Sequence, residues 1–290
     1  MRILLDAKDL IDVVEHGRPI PLSTFLEYLL AHGNQVVLTY TSVREFVAPL
    51  ASDGEFLKMR ALLQDVESLP LLYINEAKIQ LLELLEAREA LANNREYADI
   101  DPYVKRWDQT FSLRPTEMDM LVNVRLDEMV YALWKKNPAN LLFPKNFSEG
   151  ARRQISSDRA LPAGARRRPR EVFTNSVGKH LARFEVFVPG EELVRLGAWI
   201  YQNPLRAPGV RLHFDSYHAL RNNSQDMLRD NDVSDFSYFW AVPYVDAVTV
   251  DRRMCNYTKG VAARLHKLNA RIDYAKKIFP NLKALLDAPK

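Results

Sequence analysis

Four acids stand just beyond short apolar runs, or on a helix expected to lead into one. Asp6 closes RILL (Arg2 to Leu5), Glu45 follows QVVLTYT within TSVRE, and Asp251 closes DAVTV. Asp235 lies in NDVSDFSYFWAVPYV, a stretch with helical character that gives way near Pro243. If the three runs are neighbouring parallel strands, Asp6, Glu45 and Asp251 gather outside their carboxyl ends. Asp235 then reaches the same place from the first turn of its helix. Asp232 competes with Asp235 for that position, and Asp246, which opens DAVTV just before its apolar residues, is a further candidate. Clustered carboxylates repel one another and hold their protons more tightly. A divalent cation relieves that repulsion, and an all-oxygen set suits Mg²⁺ or Mn²⁺. Such ions, singly or in pairs, activate a water and stabilise in-line attack at phosphorus. The chemistry open to this pattern is hydrolysis of a nucleic-acid backbone.

Each acid also has a plainer role available. Asp6 can cap a helix beginning near Lys8, and Ser42 with Glu45 can form a capping box that opens a helix near Ser42. Asp232 can cap the helix of Asp235, and Asp246 and Asp251 can be turn residues. Capping does not explain why four acids fall at one expected sheet edge. Other chemistries have less behind them. In LLDAKDL, Lys8 occupies the second carboxylate position of a D-x-D phosphotransferase pattern. His213 and His218 in HFDSYH lack further zinc ligands and read as core or surface histidines. Cys255 has no activating neighbour, and neither G-x-x-x-x-G-K-S/T nor G-x-G-x-x-G occurs. Lys8, Arg44, Arg252 and Arg253 flank the acids, either as ion-pair partners or as attractors of phosphate.

The elements that must position these residues follow from periodicity. A strand at RILL, a helix in LIDVVEHG, a helix in PLSTFLEYLLAHGN stopped at Gly33-Asn34, and a strand at QVVLTYT open the chain. That alternation favours a parallel sheet. From Phe56 to Trp134 the pattern is helical, most clearly in INEAKIQLLELLEAREALANN and DMLVNVRLDEMVYALWKKN. Residues 151–170, ARRQISSDRALPAGARRRPR, break it with seven arginines, one acid and two prolines. This composition suits an exposed mobile loop. Arg152, Arg153, Arg166, Arg167, Arg168 and Arg170 are its candidate phosphate contacts. A strand around Phe184 to Val188, a helix in EELVRLGAWIYQN, and a helix around Ser216 to Leu228 come next. The strand DAVTVD and a helix in RRMCNYTKGVAARLHKLNARI follow.

The expected organisation is a discontinuous core of residues 1–50 and 210–290 with a helical insertion at 51–150. The arginine-rich loop spans 151–170, and a strand and helix in 171–209 complete the core. The chain has 290 residues, 47% of them hydrophobic, and a net charge of +3, ordinary for a globular domain. One cysteine excludes an intrachain disulfide framework and a Cys-rich zinc site, and fits a reducing compartment. Charges interrupt the N-terminal apolar run, and no stretch approaches a membrane span. A cytoplasmic protein without membrane contact is expected.

Taken in order, ILLDAKDLIDVVE, VVLTYTSVREFV and NDVSDFSYFWAVPYVDAVTVDRRM resemble the sequence blocks of PIN-domain nucleases. The resemblance covers about the first 50 residues and residues 210 to 265. It implies a three-layer α/β/α sandwich around a parallel sheet, here carrying a long helical insertion. It makes Asp6, Glu45, Asp235 and Asp251 the catalytic and metal-binding acids, with Asp232 as a less certain ligand and Thr249 as support. It implies a Mg²⁺- or Mn²⁺-dependent endonuclease acting on RNA, with DNA as the alternative polymer. An inhibitory protein partner would accompany a toxin-like role. The competing expectation is a PIN-like fold that binds nucleic acid or serves as a scaffold without catalysis. The helical and basic middle has no counterpart in the compact members of that family.

Overall fold

A computed structural model of the chain describes residues 1–110, 124–136, 168–223 and 232–288, with single positions 153, 156, 157, 160, 226 and 229. Six strands form one sheet: β1 (Arg2–Leu4), β2 (Gln35–Leu38), β3 (Leu71–Ile74), β4 (Tyr103–Val104), β5 (Ala247–Thr249) and β6 (Ile278–Phe279). Their order across the sheet is β4-β3-β2-β1-β5-β6, parallel throughout except for the antiparallel edge strand β4. β1 sits between β2 and β5, pairing Ile3 with Val36 on one side and with Ala247 on the other. The chain winds outward from β1 through β2 and β3, then returns to the opposite side of β1 for β5 and β6. This reversal makes the β1/β5 boundary a topological switch point, where α/β sheets bind ligands beyond the carboxyl ends.

The strands are short apolar runs because both faces of the sheet are covered, as parallel sheets require. Leu4, Val37 and Val248 face one core with helices α5 (Glu76–Ala92), α7 (Pro169–Arg183), α8 (Gly190–Gln202), α9 (Pro208–Asn222), α10 (Asp232–Ala241) and α11 (Arg252–Leu268). Ile3, Leu5, Val36, Leu38 and Ala247 face the other. That side is filled by α1 (Ala7–Val14), α2 (Leu22–Ala31), α3 (Tyr40–Asp53), α4 (Phe56–Glu67), α6 (Leu126–Lys136) and α12 (Leu282–Leu286). Among the described residues no helix is long and apolar enough to cross a membrane.

Several expectations change here. β3 and β4 lie within 51–150, so that segment supplies two strands of the sheet as well as helices. Four apolar residues without alternation that run straight into a helix carry no period to mark LLYI as a strand. Residues 184–188 are not a strand; they connect α7 to α8 through a turn with Glu185 at φ 61°. The third late helix begins at Pro208, earlier than Ser216, and ends at Asn222. Its entry is set by a buried acid. Glu83 of α5 accepts the N–H groups of Gly209 and Val210 at 2.7 and 2.8 Å and the Tyr244 hydroxyl. Only glycine fits at 209, where an added Cβ would come within 2.6 Å of the Trp240 carbonyl oxygen. Of the proposed arginine contacts, Arg152, Arg166 and Arg167 lie outside the described residues. Arg153 is exposed, Arg168 is the residue before α7, and Arg170 is in its first turn.

Candidate functional site

β1, β2 and β5 end at the same edge, and the next residues of each carry the site. Asp6 leaves β1 as the N-cap of α1, its Oδ1 accepting the Lys8 N–H at 3.2 Å. Asp251 leaves β5 as the N-cap of α11, accepting the Met254 N–H at 2.7 Å. The capping role and the site role therefore coexist in one side chain: each carboxylate is held by its helix and still lies at the sheet edge. Thr249 ties the two strands together. Its hydroxyl accepts the Asp6 N–H at 2.9 Å and hydrogen-bonds the Asp9 carboxylate. Asp9, buried in the first turn of α1, also takes the Leu282 backbone N–H.

Glu45 arrives differently from the capping-box expectation. α3 starts at Tyr40, with Thr39 as N-cap and Ser42 as its reciprocal partner: Ser42 N–H to Thr39 Oγ1 at 3.1 Å, and Thr39 N–H to Ser42 Oγ at 2.8 Å. Glu45 therefore has no capping duty and sits on the second turn. There Tyr238 of α10, fully buried, donates its hydroxyl to Glu45 Oε2 at 2.7 Å. Tyr238 lies one turn beyond Asp235, so a single helical face delivers both groups.

The four acids lie near enough for their charges to act on one another. Burial first, then the charges of Glu45, Asp6, Asp251 and Asp232, push the Asp235 carboxyl up to about 9. Asp6 is pushed up to about 7, mainly by burial and then by Glu45, Asp9 and Asp251, against the pull of the Lys8 N–H. Tyr238 is pushed well above the usual phenol range by burial and the charges of Glu45, Asp6 and Asp235. The set is thus a concentrated negative field. Among the described residues, however, no three carboxylate, imidazole or thiolate groups are arranged to hold a metal ion as they stand.

Asp232 and Asp235 differ in their partners. Asp232 is buried, pairs with the Arg253 guanidinium, and accepts the Arg229 N–H at 2.6 Å. It braces α11 through Arg253, and its charge acts on Asp235 along with those of Glu45, Asp6 and Asp251. Asp246 is at the wrong end of β5. It exchanges hydrogen bonds with Arg2 at the amino edge, at 2.7 and 2.9 Å, and takes no part in the site. His213 stacks on Trp240 with ring centres 4.0 Å apart, and His180 meets the same ring edge-on. Burial holds His213 down to about 3 and His180 down to about 4. Both are packing residues.

One acid escaped sequence reasoning. Glu76 opens α5 directly after β3, at the same edge beside β2. The Thr41 hydroxyl donates to its Oε2 at 2.8 Å. Burial, and after it Glu45's charge, push its carboxyl up to about 7 against the pull of the Thr41 and Thr39 hydroxyls. Its signal was the same as that of Asp6, an acid just past an apolar strand, and it was lost because β3 was read as helix. Comparison of the chain with protein-family models, with curated proteins and with solved structures gave no match.

Proposed function

We propose that the acid set binds one or two Mg²⁺ or Mn²⁺ ions and that the protein hydrolyses phosphodiester bonds of nucleic acid, RNA first. The observation that carries this reading is the convergence of Asp6, Glu45, Asp235 and Asp251 at the switch point of the sheet, where burial and the neighbouring acids raise the Asp6 and Asp235 carboxyls. An all-oxygen donor set of this kind fits a hard divalent cation. Carboxylates that repel stand apart until a cation draws them in, which accounts for a shared field without a finished coordination sphere. When bound, such an ion lowers the pKa of water and stabilises charge on the phosphoryl oxygens.

The chain's own residues hold and aim that chemistry. Asp6, Glu45, Asp235 and Asp251 would supply the oxygens. Thr249 fixes the β1/α1 junction that carries Asp6, and the Met254 N–H fixes Asp251. Tyr238 holds Glu45 by its hydroxyl. Water would attack phosphorus in line with the 3′-oxygen, which leaves with a proton as the new 3′-hydroxyl. The sheet covered on both faces supports a three-layer α/β/α sandwich of the PIN type as the scaffold for this reading. The single cysteine, free and buried, supports a cytoplasmic setting.

The test is purified protein on mixed RNA and DNA with Mg²⁺, Mn²⁺ or EDTA, alongside thermal unfolding with the same additions. Cleavage that needs the ion, and a rise in Tm with the ion that Asp6→Asn and Asp235→Asn both lose, is the expected result. A Tm indifferent to either cation, with no cleavage, would leave the fold as a scaffold. Full activity in both variants would sink the assignment of the acids.

A further inference from the structure

Two arginines follow Asp251, and the structure divides their duties. Arg253 is half-buried, and its guanidinium grips Asp226 through two hydrogen bonds of 2.8 and 3.0 Å while also pairing with Asp232. Tyr257, one turn further along α11, donates its hydroxyl to Asp226 at 2.8 Å and accepts from the Asn223 amide at 2.6 Å. The Arg253 guanidinium lies 5.9 Å from the Tyr257 ring centre. These groups hold one another in place and form a fixed wall. Arg252 and Asn256 are different. Both are exposed, and their i, i+4 spacing puts them on one face of α11. Together Arg252, Arg253, Asn256 and Tyr257 line an open cavity of about 520 Å³ that begins one residue beyond Asp251.

A phosphodiester approaching the acid set is repelled by every carboxylate in it. A strand can dwell there only if cationic or hydrogen-bonding groups beside the set hold its neighbouring phosphates. Arg252 is placed for that: a planar guanidinium grips a phosphate through two parallel N–H donors. Asn256 offers an amide N–H₂ to a phosphate or sugar oxygen one helical turn away, and Tyr257 presents ring surface at the cavity wall. We propose that this cavity is a backbone subsite for single-stranded nucleic acid, with Arg252 and Asn256 holding a phosphate next to the bond cleaved. The proposal rests on the nucleic-acid reading given above and names where the strand lies. Arg252 acts as a positioning residue. The contacts of Arg253 and Tyr257 with Asp226 brace the first turns of α11, whose N-cap is Asp251.

The experiment is binding of a labelled single-stranded RNA, and of DNA of the same sequence, measured by fluorescence anisotropy in EDTA over a series of salt concentrations. Arg252→Ala should weaken binding roughly tenfold at low salt and lower the slope of log affinity against log salt by about one unit. Asn256→Ala should weaken binding by a few-fold without changing the slope, and Arg252→Lys should restore the slope. Equal losses on RNA and DNA are expected, because the phosphate is common to both. A loss confined to one polymer, unchanged affinity and slope in Arg252→Ala, or no binding by the wild-type chain would each overturn the subsite. Parallel cleavage assays in Mn²⁺ separate the two proposals. Binding lost in Arg252→Ala without cleavage by any sample keeps the subsite and removes the hydrolytic reading. Cleavage with wild-type affinity in Arg252→Ala does the reverse.

Discussion

Replacing Asp235 by asparagine takes away a buried carboxyl that the folded chain holds at a pKa of about 9, against an ordinary 3.8. Below pH ~4 the aspartate is protonated in folded and unfolded chains alike and favours neither. As pH rises, the unfolded chain releases this proton at its ordinary pKa, while the fold retains it until about pH 9. Stability from this group therefore declines steadily across that window. At pH 7 the difference is about three pKa units, or ~4 kcal/mol at the limit of no relaxation. Movement of the neighbouring carboxylates and the effective polarity of the protein interior bring this to ~2 kcal/mol. Asparagine has the same shape and no charge to lose, so in EDTA at pH 7 the variant should be more stable. The gain corresponds to roughly 5 °C in Tm for a chain of this size. Circular dichroism melts in EDTA at pH 5, 7 and 8.5 test it directly. The gap between variant and wild type should widen with pH. A gap that is zero, negative or independent of pH would refute the claim that burial and the neighbouring acids make Asp235 hold its proton. The gain would also mark the stability that the fold gives up to keep four acids together, a pattern expected of functional sites.

Three further outcomes follow from the geometry. Thr249→Val keeps the side-chain shape but removes the hydroxyl that meets the Asp6 N–H and the Asp9 carboxylate. It should lower stability by ~1–2 kcal/mol in denaturant titrations, while Thr249→Ser stays near wild type. Glu83→Ala leaves two N–H groups and a phenol without their buried acceptor. A loss of ~3 kcal/mol is expected, with any divalent-cation response in Tm preserved because Glu83 is remote from the acid set in role. His213 is held down to about 3 in the fold, so its contribution is intact above pH ~6.5 and is lost as pH falls toward that folded value. His213→Phe, which retains the stack on Trp240, should therefore gain ~1 kcal/mol on wild type between pH 6.5 and 5. Melts at both pH values would show it, and a constant difference would contradict it.

Much of the scaffold was written in local pattern. RILL, QVVL and AVT are β-branched or leucine-rich runs bounded by polar residues, and they emerged as β1, β2 and β5 in the expected places. The stretches rich in helix-forming residues gave α1, α2, α5, α8 and α11 with small shifts at their ends. Boundary errors arose where two local solutions competed. At α3 both Thr39 with Ser42 and Ser42 with Glu45 are legitimate capping pairs. The fold chose the first because β2 ends at Leu38, and the chain turns at the next residue. At 184–188, FEVFV has the composition of a strand, but Glu185 adopts φ 61°, outside the extended region. The segment instead links α7 to α8, with Phe187 exposed.

The sequence by itself determined which acids end which strands, because the position of a residue relative to an apolar run is a local property. It left open which acids would face one another, since that depends on strand order and on partners far away in the chain. Placing β1 between β2 and β5 brought Asp6 beside Glu45 and Asp251, across separations that no local pattern records. Tertiary contacts likewise separated residues of the same type. Arg253 pairs with Asp232, and Asp235 forms no such ion pair among the described residues. Pairing with Arg2 kept Asp246 at the far edge, and β3 beside β2 added Glu76. Charge, burial and pKa are set by what stands within a few ångströms, and only the folded chain decides that.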